Sequence, residues 1–197
     1  VCPQANVPAQ RWSPAGAEGS LPYPLFAKPI KAAFSILARE VRNSSELQRL
    51  VNFGWWESVV LERLSQPFER VVRQRLPEAG SAMGLMLERP VHAPQFNLDG
   101  YAFDGDVRLL GVVDAHMYPG TQAFMRFDYP SRLAPAVVAR AGEVARRFMA
   151  AVGFSHGLFN MEFFYDEHRD ELTVIEFNPR MAAQFSDLYG RVDGLNL

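Results

Sequence analysis

Apolar and polar residues alternate in two runs near the end of this 197-residue chain, Gly157-Leu-Phe-Asn-Met-Glu-Phe-Phe-Tyr-Asp166 and Glu171-Leu-Thr-Val-Ile-Glu-Phe-Asn178. Both runs are rich in β-branched and aromatic residues, and the segment between them, Asp166 to Asp170, is charged turn material. The pattern predicts an antiparallel hairpin. A turn centred near Arg169 sets Glu162 opposite Glu176 and Asn160 opposite Asn178, all four on one face because side chains alternate along a strand. Met161, Phe163, Ile175 and Phe177 then fill the other face. Upstream, Tyr101 to Asp114 reads as a hairpin turning at Asp104-Gly105, and Gln122 to Tyr129 as a further strand before Pro130. From Pro135 to Val152, the residues Val137, Ala141, Val144, Phe148 and Val152 recur at helical spacing. Gly153 is placed to end that helix with a left-handed cap, and Arg140, Arg146 and Arg147 fall on its solvated face. Phe53, Trp55 and Trp56 with Val59 and Val60 read as core or lobe-contact aromatics.

The candidate chemistry lies on the polar face of the first hairpin. Two carboxylates directly opposed at roughly 5 Å between Cβ atoms repel each other, which a cation between them would relieve. Two carboxylates and an amide oxygen are hard ligands that suit Mg²⁺, an ion that usually completes its shell with substrate phosphates. A half-exposed hairpin with a polar solvent face is the plainer alternative. Asn178-Pro179-Arg180 favours the metal–phosphate site, because Pro179 keeps Asn178 extended. Arg180 then arrives just past the strand end with a guanidinium able to grip phosphate or a developing oxyanion.

These residues resemble the ATP-grasp superfamily of carboxylate–amine ligases and their biotin carboxylase-like relatives. The likeness lies in Gly157…Glu162-Phe163 and in Ile175-Glu176-Phe177-Asn178-Pro179-Arg180, and it extends upstream over nearly the whole chain. The resemblance implies that Glu162, Glu176 and Asn178 hold magnesium ions bridging the ATP phosphates, and that Arg180 is the catalytic residue stabilising an acyl-phosphate or the tetrahedral species after it. Pro22-Tyr-Pro-Leu-Phe-Ala-Lys28-Pro29 resembles the strand whose lysine reaches the nucleotide phosphates. Ser35 to Val41 resembles the return strand, and Asn43 to Val51 the helix that follows. In Leu85-Met-Leu-Glu-Arg-Pro-Val91, the resemblance gives adenine to the Glu88 carboxylate, the Arg89 carbonyl and the Val91 N–H, and the ribose to Gln95. Two features depart from the family. The phosphate-covering loop Ile30-Lys-Ala-Ala-Phe-Ser35 contains no glycine, so Lys31 and Ser35 would offer side-chain donors in place of backbone ones. The Asn6-Val-Pro8 strand has no nucleotide lysine shortly before it.

The implied architecture is α+β in two lobes: residues 1–83 a small lobe carrying Lys28 and the lid loop, residues 84–197 a larger antiparallel-sheet lobe, with ATP between them. The implied activity is an ATP- and Mg²⁺-dependent ligase that activates a carboxylate as acyl-phosphate for attack by an amine. Two alternatives stay open: a non-catalytic module of the same fold that only holds ATP, and direct phosphoryl transfer to an alcohol or a histidine. The chain opens at Val1 and closes within a run like the family's next helix entry, so it is expected to be a fragment of a longer enzyme.

Composition narrows the partners. Hydrophobic residues make up 48% of the chain and the formal net charge is −2, which fits a packed core and offers no basic stripe for nucleic acid. No apolar run approaches the ~20 residues of a membrane span. The single Cys2 allows no internal disulfide and fits a reducing, cytoplasmic setting. The resemblance implies small-molecule carboxylate and amine substrates and admits a homodimer, while composition gives no reason to expect a nucleic-acid or membrane partner. His92, His116, His156 and His168 lack metal-ligand spacing, and Arg126 is a strand residue that could assist with phosphates.

Overall fold

The computed structural model describes residues 10–11, 22–29, 38–51, 54–75 and 85–196. They divide between two compact units, one within 8–90 and the other within 91–197. In the first unit, β1 (Gln10–Arg11), β2 (Leu25–Pro29), β3 (Arg39–Val41) and β4 (Leu85–Glu88) form an antiparallel sheet in the order β1-β4-β2-β3. Strand alternation sorts its side chains. Leu25, Ala27, Val41 and Leu87 are buried with Leu47 and Leu50 of helix α1 (Ser44–Val51), while Phe26 and Lys28 stand half-buried on the other face. Asn43 caps α1: its side chain accepts from the Glu46 N–H (2.9 Å), and the Glu46 carboxylate reaches back to the Arg42 N–H (2.8 Å). This is close to the reciprocal pairing of a capping box.

Because β4 is hydrogen-bonded between β1 and β2, the segment Glu88-Arg89-Pro90 leaves from this sheet, and the units divide at Pro90 and Val91. Met83, where the sequence reading put the boundary, lies outside the described residues. So do the loop Ile30–Ser35, with Lys31 and Ser35, the Asn6-Val-Pro8 segment, and Phe53. Helix α2 (Trp55–Arg75) continues through Pro67. It overturns one expectation: Trp55 and Trp56 are each 68% exposed, and Val60 is exposed as well. These apolar side chains ride an outward face of the helix rather than entering a core.

The second unit holds β5 (Gln95–Phe103), β6 (Asp106–Met117), β7 (Phe124–Asp128), helix α3 (Pro135–Val152), β8 (Gly157–Asp166), β9 (Glu171–Asn178), a 3₁₀ turn (Ala183–Phe185) and helix α4 (Ser186–Asp193). Its sheet is antiparallel throughout, in the order β7-β6-β5-β8-β9. The β5–β6 turn is Asp104-Gly105, with φ of 49° and 82°. Positive φ at both central residues matches the right-handed twist of the flanking strands. One face of the sheet, with Phe96, Leu98, Phe159, Met161 and Phe163, packs on α3. Helix α3 has the expected limits, and Gly153 (φ 67°) donates its N–H to the Ala150 carbonyl. Its buried stripe is rotated from the expected one, however. Val137, Ala141, Ala145 and Met149 are buried at i+4 spacing, Val144 and Phe148 flank them, and Val152 is exposed.

Arg140 also departs from expectation. It is no solvated cation: both terminal nitrogens bind the two oxygens of Asp170 (3.0 and 2.7 Å), and the Tyr165 hydroxyl donates to the same carboxylate (2.8 Å). Helix α3 is thereby fastened to the β8–β9 turn, where Asp170 has φ 51°. The Arg140 guanidinium, with the Tyr165 hydroxyl, holds the Asp170 carboxyl down at about 2. A carboxyl lowered in the folded state contributes stability above its unfolded pKa of ~3.9, and that contribution is lost as the pH falls through the folded value. The variant Asp170→Asn keeps a residue that tolerates positive φ and removes the charge. Its thermal midpoint should lie below that of the wild type by a constant gap above about pH 4. The gap should close between about pH 4 and pH 2, as read from midpoints across that range.

Candidate functional site

The face of the second sheet turned away from α3 is polar across three adjacent strands. Register fixes it. Asn97 on β5 pairs with Glu162 on β8, and Glu162 with Glu176 on β9; one step along, Asp99 pairs with Asn160 and Asn160 with Asn178. One row therefore reads amide–acid–acid and the next acid–amide–amide. The cross-strand pairs Glu162–Glu176 and Asn160–Asn178 are those expected for a turn centred near Arg169, but the turn itself pairs Asp166 with Glu171, and a one-residue bulge restores the expected register at the acids. Each acid has an amide donor at its side: Gln95 Nε2 lies 2.8 Å from Glu162 Oε2, and Asn178 Nδ2 lies 2.9 Å from Glu176 Oε1. The second contact leaves the Asn178 amide oxygen for another partner. Glu162 is half-buried and Glu176 exposed, so the pair can be reached from solvent.

A β-bulge falls immediately beyond the acids. Glu162 faces Glu176, but Phe163 faces Val174, leaving Ile175 as the extra residue. This corrects the expected apolar face: Val174 and Leu172, not Ile175, join Phe163 and Phe177 against α3. Phe177 stacks on Phe148 with ring centroids 3.7 Å apart. Bulges add twist and re-aim side chains, and this one lies directly beside the carboxylate pair. Past the end of β9, Arg180 is exposed, and its Nη1 donates to the Met181 carbonyl (3.3 Å).

Gln95 is buried, and its amide is committed to Glu162. Val91 begins the same unit and is exposed. Arg126 is not part of this cluster. It lies on β7, at the opposite edge of the sheet from β9, and pairs with Asp128 (3.1 Å). At ~4.8 Å per strand, β7 is about 19 Å from β9. His156, at the start of β8, pairs with Asp104 (2.9 Å) beside the β5–β6 turn.

The first unit carries the remaining candidates. Lys28 on β2 and Glu88 on β4 project from the half-buried face of its sheet and form an ion pair of 2.9 Å with side chains about one-fifth exposed. The pair uses Glu88 Oε2. Arg89 follows with its side chain exposed.

One residue of the second unit escaped the sequence reading. Asp99 is fully buried, yet its carboxylate accepts from the Asn160 amide (3.0 Å), the Ala182 N–H (3.1 Å) and the Tyr189 hydroxyl (2.9 Å). Burial raises its pKa, while these three donors and the charge of Arg180 lower it. Burial and the neighbouring Asp99 charge push the Tyr189 hydroxyl well above its ordinary value. In sequence, Asp99 stands inside an apolar strand and gives no sign of partners so far along the chain.

No protein-family model matches the sequence, and no curated protein does. In structure, the chain is similar to an L-amino acid ligase from Bacillus licheniformis, at 17% identity and a TM-score of 0.70 over 98% of this chain and 42% of that one. It is similar to a biotin carboxylase–β,γ-ATP complex from Campylobacter jejuni, at 20% identity and a TM-score of 0.71 over 99% and 42%. A third is the biotin carboxylase domain dimer of the Hydrogenobacter thermophilus 2-oxoglutarate carboxylase with MgADP, ADP and bicarbonate, at 20% identity and a TM-score of 0.58 over 88% and 34%. The chain has the ATP-grasp fold, α+β with antiparallel sheets. It spans 42% of the length of the first two of these structures. Among the described residues, no helix is long and apolar enough to cross a membrane.

The facing acids give a direct test of the local electrostatics. Without divalent ions, Glu176→Gln removes the like-charge opposition and keeps an oxygen to accept from Asn178. Its unfolding free energy should equal the wild-type value or exceed it by roughly 0.2–1 kcal/mol. A clear loss of stability in denaturant titration would show that the Glu176 charge is held by a favourable partner instead.

Proposed function

We propose that the chain is the nucleotide-binding part of an ATP-dependent ligase that joins a carboxylate to an amine. The observation that carries this reading is the in-register pair Glu162–Glu176, flanked by the Asn178 amide and followed by Arg180. The donor set fits magnesium: two carboxylates and an amide oxygen, all hard ligands, with remaining positions of the kind phosphate oxygens fill. Glu162, Glu176 and Asn178 would hold the ion, which supplies charge neutralisation for the triphosphate.

The other assignments follow from chemistry and from the fold. Lys28 binds nucleotide phosphates. Glu88 keeps Oε1 for the adenine amino group while Oε2 faces Lys28, and the Arg89 carbonyl and Val91 N–H complete the base contacts. Gln95 retains its amide oxygen for a ribose hydroxyl. Ser35, outside the described residues, would add a donor from the lid loop. In the reaction, an oxygen of the substrate carboxylate attacks the γ-phosphorus in line and ADP leaves. The amine nitrogen then attacks the acyl carbon of the resulting acyl-phosphate, the acyl C–O bond breaks with its electron pair leaving on phosphate, and the nitrogen loses a proton to solvent or to the departing phosphate. Arg180, fixed just past the strand end, stabilises the oxyanion of that second step. A preorganised charge of this kind is worth about 3–4 kcal/mol.

The absence of glycine between Ile30 and Ser35 favours a second reading, a module that holds ATP without turning it over. The test is ADP release from MgATP across a panel of carboxylates and amines. Release that needs both substrates is the expected result, and Glu176→Gln should abolish it. ATP binding without release across the panel would support the holding module. A phosphorylated product with no amide would support direct phosphoryl transfer.

A further inference from the structure

We propose that Asp99 is a positioning residue for the acidic pair and for Arg180, acting through Asn160 and Ala182. This rests on the metal–nucleotide reading of the site given above. Asp99 is one register step from the row that holds Glu162 and Glu176, and its own row runs Asp99–Asn160–Asn178. The donors on its carboxylate come from three separate segments. The Asn160 amide and the Ala182 N–H share Oδ1, while the Tyr189 hydroxyl takes Oδ2. Asn160 is 1% exposed and faces Asn178, so the direction of its amide sets the surroundings of that residue. Ala182 is two residues past Arg180, so its N–H bond pins the chain where it leaves the sheet. Arg180 itself donates to the backbone carbonyl of its neighbour Met181.

The opposite side of the strand is prepared for this arrangement. The in-register partner of Asp99 on β6 is Gly111. A Cβ there would come within 2.6 Å of the Tyr129 ring and 2.9 Å of the Tyr189 ring. The bare backbone thus admits the Tyr189 ring, whose hydroxyl reaches the carboxylate. A buried charged acceptor is retained only where its donors are all present. Here two of the three donors lie on the segments that carry Asn160 and follow Arg180.

A role confined to docking α4 makes different predictions. In ATP titrations of the chain by calorimetry, with and without Mg²⁺, Asp99→Ala should raise the Mg²⁺ midpoint that supports ATP binding by up to about 10-fold, the lower end of what losing a ligand's own hydrogen-bond partner costs, because Asp99 acts one step further out. Mg²⁺-free ATP affinity should stay at the wild-type value, because Asp99 bonds Asn160, Ala182 and Tyr189 and none of the residues proposed to contact the base, the ribose or, through Lys28, the phosphates. Asp99→Asn should remain near wild type: Oδ1 still accepts, and the new amide can donate to the Tyr189 oxygen. Tyr189→Phe should move the midpoint little. Asn160→Ala, folded by circular dichroism, should shift the midpoint in the same direction as Asp99→Ala, which keeps the test decisive if Asp99→Ala does not fold. A wild-type protein with no Mg²⁺-dependent gain would remove the metal reading and this proposal with it. A wild-type gain that both Asp99→Ala and Asn160→Ala retain would overturn the positioning role alone.

Discussion

Glu162 and Glu176 stand in register across an antiparallel pair, and much of the second unit can be read as the means of keeping them there. Like charges directly opposed on neighbouring strands destabilise the pairing by roughly 0.2–1 kcal/mol. The pairing survives because the sheet is held from elsewhere and because each acid has a neutral donor. Gln95 reaches across from β5 to one carboxylate, and Asn178 reaches along β9 to the other. As neutral donors, these amides soften the repulsion between the acids.

Register is protected by the opposite face. Phe96, Leu98, Phe159, Met161 and Phe163 are buried against α3, and a slip of one residue on β5 or β8 would send each of them to the polar side. The cost of exposing even one such side chain is about 1.5–3 kcal/mol, more than the repulsion between the acids. The apolar face thus wins. The clamp from Arg140 to Asp170 adds a second constraint at the turn, where a change of loop length would otherwise shift the pairing.

Legibility in the sequence followed the sequence distance over which each feature was decided. The β8–β9 pairing was readable because a short charged turn leaves few registers. Helix α3 was readable because Pro135 and Gly153 mark both ends. Its buried stripe was misread by one position, since Ala145 carries a weak hydrophobic signal beside Val144 and Phe148, and contact with the sheet decided the rotation. Nothing local announces the bulge at Ile175: Val174 and Ile175 are equally apolar, and only the packing of Val174 on the core distinguishes them. Helix α2 was hidden by Pro67 and by apolar side chains that face outward. Asp99 was the least legible, because its donors lie 61, 83 and 90 residues away. The Lys28–Glu88 pair is of the same kind, joined by the register of β2 with β4.

Two of the three register shifts in the sheet bracket the polar rows; the third lies between β6 and β7, at His116 and Met117. Of the bracketing two, one, between β5 and β6, follows Asp99; the other, between β8 and β9, follows Glu162. A bulge in mid-sheet weakens the ladder locally and increases twist. Between the two shifts, Asn97, Asp99, Asn160 and Glu162 lie on undisturbed β5–β8 pairing. The acids and their amides are thus set on the most regular stretch, while the strands on either side bend away. Because the alternation of the core face already fixes that stretch, the positions of the carboxylates are established before any ligand arrives. A site formed in advance spends little binding energy on reorganisation, and the proposed magnesium ion, which tolerates only near-ideal geometry, would need that.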